Sequence, residues 1–208
     1  MSSSSDAART FTETARRAQL VQAAITTVNE LGYPRASLAE IARRAGVAKS
    51  AIVYYFASKD TLLLHVVDHV FTALEEARAK AVAAHTEPAA RLRAYAESHL
   101  AYVDAHRPEI TAGIEIVVSH RGPDGVPLYL TATDEDTALL RAILGDGMAQ
   151  GVFRQMPLRI AVDVVEALLD TVTTQLQRDL TADLTALRAE ITTIVFRGLA
   201  VPDRAVPD

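Results

Sequence analysis

Lys49, Ser50 and Ala51, with Tyr54 and Tyr55 a turn further on, bring an ammonium, a hydroxyl, a methyl and two phenols onto one short segment. An ammonium can bond a guanine edge or a phosphate, an alanine methyl can touch a thymine methyl, and phenolic hydroxyls can donate to phosphates. These groups act together only if a rigid element presents them to a groove. Adjacent helical residues diverge by about 100°, so one of the two tyrosines can instead turn inward against the next helix.

The element that must hold them lies within Ser37 to Lys59, SLAEIARRAGVAKSAIVYYFASK. Ser37 followed by Glu40 reads as a capping box, each side chain bonding the other's free backbone N–H. Leu38, Ile41, Ala42 and Ala45 then recur at helical spacing. Gly46 can take the left-handed conformation that ends a helix. A second helix starts near Ala48, the first residue that its opening turn offers to a groove. Two short helices joined at a glycine form a helix-turn-helix, whose second helix enters the major groove of DNA. Ser37 and Lys59 flank the motif and are placed for phosphate contacts, although Ser37 can equally be an N-cap alone. Arg43 and Arg44 lie on the outer face of the first motif helix, either as phosphate contacts or as solvated charges.

The segment resembles the DNA-binding signature of the TetR family of bacterial transcriptional regulators. The resemblance rests on SLAEIARRAGV, AKSAIVYYF and the SKDTLL opening of the following helix. It covers about the first third of the chain, and Val53 stands where many members carry an aromatic. It implies an all-α protein: a three-helix DNA-binding unit followed by a larger helical domain for ligand binding and dimerisation, about nine helices in all.

Charge distribution agrees. The whole chain is acidic at −5, yet residues 1–60 hold eight Lys and Arg against five acids, and the remaining residues hold 13 against 21. A basic end on an acidic body confines attraction for phosphate to that end. The absence of cysteine excludes disulfides, thiolate metal sites and cysteine catalysis. No leader-like or membrane-length apolar run is present, which reads as a cytoplasmic protein.

Residues 1–12 are polar and read as a disordered tail, 13–57 as the DNA-binding domain, 58–200 as the ligand-binding and dimerisation domain, and 201–208 as a loose tail. The first helix is expected over Glu13–Leu31 and a long fourth helix over Ser58–Ala84, where it acts as a strut. Pro88 and Pro108 open helices five and six, and the loop from Arg121 to Pro127 follows. Helix seven covers about Leu130 to Ala149, possible starts being Leu130 and Asp134. Helix eight is expected as one element from Pro157 to about Leu180, and helix nine from Ala182 to Phe196. Helix eight is apolar over more than one side, one stripe passing through Val165, Val172 and Leu176 and another through Ile160, Val164, Leu168 and Thr171. A helix apolar over that width must be covered on two faces. A homodimer pairing the last two long helices follows, with Val165, Leu168, Val172, Leu176, Leu187, Ile191 and Ile194 as interface candidates; a wide intramolecular core is the alternative.

No nucleophile elbow, phosphate loop, dinucleotide fingerprint or H-E-x-x-H occurs, so no catalytic residues and no cofactor are assigned. Asp134, Glu135 and Asp136 head a helix, where acids complement the dipole. His65 and His69 share a helical face without a third metal ligand, and no metal is assigned. Phe71, Tyr95, His99, Tyr102, Glu115 and Phe153 are candidate contacts for a small organic effector in the helical body, each also readable as core. The reading is a DNA-binding transcriptional regulator, a ligand-responsive repressor that binds a palindromic operator as a homodimer. The alternative is a helical small-molecule-binding or enzymatic domain whose helix-turn-helix is only structural.

Overall fold

A computed structural model describes residues 3–201, with side chains described from Thr12 onward. The proposed tail over 201–208 lies outside the described residues except for Val201. The described residues form ten α-helices and three short 3-10 turns, with no strand. They divide into two compact units that do not follow chain order. The first joins the chain up to Phe71 with Pro108–Thr131; the second joins Thr72–Arg107 with the chain from Ala132 onward.

In the first unit, α1 (Ser3–Leu31), α2 (Leu38–Ala45) and α3 (Lys49–Phe56) pack as a three-helix group. The backbone of α1 is already helical well before Glu13, taking in residues whose polarity suggests a tail. Leu20, Ala24, Ile25 and Val28 of α1 meet Ile41 of α2 and Ile52 of α3 in a fully buried core. Burial of the Leu, Ile and Val side chains contributes about 1.5–3 kcal/mol each, which outweighs the weak helical tendency of an eight-residue segment. Gly46 sits at φ 65°, closing α2 in the left-handed conformation. The opening half of α4 (Lys59–Val82) and all but the first residue of α6 (Arg107–Ser119) complete this unit.

A polar seam ties α6 to the rest of the first unit. Asn29 donates to the Pro108 carbonyl at 2.8 Å and accepts from Thr111 at 3.0 Å. The Tyr33 N–H donates to Glu115 at 3.3 Å, and the Tyr33 hydroxyl meets Nδ1 of the buried His120 at 2.9 Å.

The second unit packs α5 (Pro88–Ala105) against α7 (Ala138–Ala149), α8 (Leu158–Leu169), α9 (Thr171–Arg178) and α10 (Thr185–Leu199). Helix seven begins at Ala138, after a 3-10 turn over Asp134–Thr137 that a Thr133–Asp136 capping box holds. The expected single helix eight is two helices. The break falls at Asp170, where Thr173 and Thr174 both turn their N–H groups back to the Asp170 carbonyl. The hydroxyls of Thr171 and Thr173 bond the carbonyls of Ala167 and Asp170, and side chains that enter the backbone ladder in this way bend helices. The last helix starts at Thr185 rather than Ala182, because Asp183 caps the Thr185 N–H at 2.9 Å.

Gly147 and Phe153 pack so closely that a Cβ on the glycine would stand 2.1 Å from the ring. Phe153 is thereby a buried plug under α7.

Candidate nucleic-acid interface and the buried polar cluster

The outer face of α3 carries Lys49 and Ser50 in its first turn and Tyr54 one turn on, all exposed, with Tyr54 at 79%. Ile52 and Phe56 on the opposite face are buried, and Ala51 and Tyr55 are half-buried. Of the two tyrosines, Tyr55 is the one turned inward: its ring meets Tyr54 edge-on at 5.0 Å and lies 5.8 Å from the Arg17 guanidinium. Ala48, exposed at the start of α3, has no capping side chain, so among the described residues the first N–H groups of the helix have no side-chain acceptor.

Around this face the structure separates free charges from committed ones. Ser37 accepts the Glu40 N–H at 3.2 Å, but only half of the capping box forms. The Ser37 N–H goes to the Arg35 carbonyl, and the Glu40 carboxylate takes Arg43 and Arg44 instead. These two guanidiniums hold the Glu40 carboxyl down at about 2, far below the ordinary range. Arg44 also pairs with Glu30 at 2.6 Å and is largely covered, so it clasps α1 to α2. Arg43 remains mostly exposed. Lys59 donates to the Tyr33 carbonyl at 2.9 Å with its ammonium 4.5 Å from the Tyr33 ring centre, and partial burial pushes its pKa down.

The joint after α3 is strained. Ala57 sits at φ 58°, ψ −45°, and the Ser58 N–H reaches the Phe56 carbonyl at 2.6 Å, closing a γ-turn of the rare hand. Ser58 then caps α4, accepting the Thr61 N–H at 3.0 Å.

Within the second unit, Tyr95 and His99 on α5 are buried, as expected of effector contacts or core. Sequence reasoning missed the groups they face. Arg78 on α4, 4% exposed, pairs with Glu75 and touches Nδ1 of His99. It lies 4.6 Å from the Tyr95 ring centre and 3.6 Å from Glu166 on α8. The Tyr95 hydroxyl donates to Glu166 at 2.6 Å. Burial, and then the Arg78 charge, push His99 down to about 3, so its ring is neutral. Arg78 Nε and His99 Nε2 are buried without a hydrogen-bond partner among the described residues, an arrangement that costs about 1–3 kcal/mol per group. The sequence held a signal for Arg78: it follows Leu74 and precedes Val82 at intervals of four, on the core face of α4.

The other effector candidates scatter. Phe71 and Glu115 belong to the first unit, where Phe71 lies against Gly113 and Glu115 is in the Tyr33 seam. Tyr102 stacks on His106 at 4.0 Å. A separate open groove of about 780 Å³ runs along α5, lined by Ala90, Ala94, Ala101, Arg93 and Phe196 among others. Among the described residues no group of three or more His, Cys, Asp and Glu is placed to hold a metal, and no helix is long and apolar enough to cross a membrane.

The interface candidates also divide. Val165, Val172, Leu176 and Ile191 lie inside the core of the second unit, because this stripe is the one that meets α5 and α10. Leu168 and Leu187 are half-buried, and Ile194 is 49% exposed. The stripe beside it is the outward one, with Ile160 at 50% and Val164 at 49%.

Residues 20–66 match the family described as bacterial regulatory proteins, tetR family. The HTH-type transcriptional regulator BetI of Yersinia pestis is 43% identical over 86 residues, 40% of this chain and 43% of that protein. BetI of Burkholderia cenocepacia is 40% identical over 80 residues, 38% of this chain and 41% of that protein. The matched segment thus spans less than half the length of these curated relatives. Among solved structures, the TetR family regulator PfmR from Thermus thermophilus superposes with a TM-score of 0.73 at 25% identity, over 88% of this chain and 99% of that one. The fatty acid degradation regulator FadR from Bacillus halodurans gives 0.73 and 25%, over 88% and 96%. Residues 20–66 thus carry the N-terminal signature of the tetR family, and the described residues share the fold of solved TetR family regulators.

Proposed function

We propose that this protein is a one-component cytoplasmic transcriptional repressor that binds a palindromic operator as a homodimer and releases it when a small organic effector occupies the second unit. The observation that carries the reading is the outward face of α3. Lys49, Ser50 and Tyr54 are exposed over an uncapped helix start, while the charges around them are engaged within the chain. Lys49 supplies a base or phosphate contact, Ala51 an apolar contact to a thymine methyl, and Tyr54 a phosphate contact. Ser37 and Arg43 add phosphate contacts at the edge, and Arg44 and Lys59 position the helices that carry them.

Pairing of two copies is supported by the apolar stripe of Ile160, Val164 and Leu168 on α8 with Ile194 on α10. Twofold pairing makes the two recognition helices read half-sites about one helical turn, ~34 Å, apart. The effector weakens operator binding only insofar as it prefers the arrangement of α4 that does not fit DNA. A tenfold loss needs a preference of just ~1.4 kcal/mol.

Lys49→Glu tests the reading. Operator fragments selected from genomic DNA should lose binding in a gel-shift assay, while sizing and thermal unfolding of the variant stay as in the parent. Parental affinity should fall steeply with salt as phosphate contacts release counterions. Undiminished affinity in the variant, or a flat salt response, refutes the assignment.

A further inference from the structure

The polar cluster in the second unit has an unbalanced hydrogen-bond inventory. Arg78 can only donate, so its contact with His99 Nδ1 makes that nitrogen the acceptor. The ring is neutral, so its single proton is on Nε2, and that N–H is buried with no acceptor. Arg78 Nε–H is a second buried donor in the same state. The carboxylates, by contrast, already face donors. Glu75 faces Arg78, and Glu166 accepts the Tyr95 hydroxyl while lying 3.6 Å from Arg78. The cluster therefore has buried donors to spare.

Charge narrows the occupant further. One guanidinium already faces Glu75 and Glu166, with Asp170 close enough to feel both Glu166 and Arg78, so an incoming anion would meet surplus negative charge. A cation would have to stand beside the Arg78 guanidinium and would leave both N–H donors unpaired. What fits two free donors without adding charge is an uncharged oxygen acceptor. The helices around the cluster contribute Leu74, Leu92, Leu100, Val162, Val165 and Leu169 to the core, so the rest of the occupant must be apolar.

We infer that Arg78 and His99 are the polar anchor of the effector site, and that the effector is an apolar compound presenting a neutral carbonyl (ketone, ester, amide or lactone) to their free N–H groups. The inference rests on reading the second unit as the effector-binding part, and it assigns that site its ligand class. Tyr95 and Glu166 are positioning residues: their hydrogen bond holds Glu166 beside Arg78 and the Tyr95 ring beneath the guanidinium.

The test uses four probes of similar length on the full chain, 2-undecanone, undecanoate, decyltrimethylammonium and undecane, with binding read by calorimetry and by thermal shift. The ketone is expected to bind at least tenfold more tightly than the other three. His99→Gln, which keeps an N–H near the Nε2 position, should retain ketone binding within about threefold; His99→Met should weaken it about tenfold. Arg78→Lys keeps the charge but loses the Nε–H, and should weaken it comparably. Circular dichroism of each variant separates lost binding from lost folding. Undecanoate or the cation binding as tightly as the ketone overturns the inference. So does equal ketone binding by His99→Met, or no binding of the ketone at all. Operator binding is measured on the same samples without probe, so a failure of the regulator reading would show as absent DNA binding whatever the probes do.

Discussion

The two compact units treat charge in opposite ways. In the first, charges stay near water and are shared over short distances: Glu40 takes Arg43 and Arg44, Glu30 takes Arg44, and Lys59 lies on Tyr33. In the second, Arg78 is drawn into the core, where it meets two part-exposed carboxylates, a buried phenol and a neutral imidazole. Exposed pairs contribute little to stability, typically about 0–1 kcal/mol, whereas removing one partner from a buried set leaves the others stranded. The first unit can therefore change its surface charges at little cost. The second cannot change Arg78 without losing much of its stability.

Substitutions can break that contrast. Arg78→Met should have the largest effect, lowering stability by about 3–5 kcal/mol in urea unfolding, because Glu75 and Glu166 lose their shared cation. A loss below about 1 kcal/mol would mean that the cluster is no more than a surface pair.

His99 sharpens the contrast through pH. Folded, its pKa is down at about 3, from an ordinary value of 6.5. Below pH 6.5 the unfolded chain takes up a proton that the folded chain refuses, so stability falls as pH falls from 6.5 towards 3. Relative to His99→Gln, which does not titrate, the parent should lose about 2 kcal/mol between pH 7.5 and pH 5. Parallel stability curves for the two proteins would place a solvated imidazole at this position.

A smaller effect belongs to the first unit. Ala57→Gly removes the cost of a positive φ from a residue with a Cβ and should raise stability by about 0.5–1 kcal/mol. A loss on substitution would show that the γ-turn is not strained. The smallest effect is at the proposed reading face. Lys49→Ala and Tyr54→Ala should each shift stability by less than about 0.5 kcal/mol while weakening operator binding.

The same contrast explains what the residue pattern reveals. The helix-turn-helix is legible because its signals are local: a cap at Ser37, a stripe through Ile41 and Ala45, and a glycine at the turn. Glu40 reads as a capping partner yet is not one, because two arginines a turn away offer its carboxylate better bonds than one backbone N–H. Helix eight shows two apolar stripes, but periodicity does not say which of them meets the chain's own core; Val165 and Val172 do, and Ile160 and Val164 do not. The break at Asp170 depends on threonine hydroxyls choosing backbone carbonyls, which spacing alone does not determine. Tyr95 and His99 can be picked out by type, but their partners Arg78 and Glu166 come from two other helices and meet them only on folding.

Among the described residues, the exposed Lys49 ammonium makes no hydrogen bond or ion pair with the rest of the chain, and that independence has an evolutionary consequence. On the proposed reading, a lineage can exchange Lys49, and with it the base that the helix meets, without first accumulating compensating changes elsewhere. Duplicated copies of such a gene would diverge in the sites they recognise long before their scaffolds drifted apart.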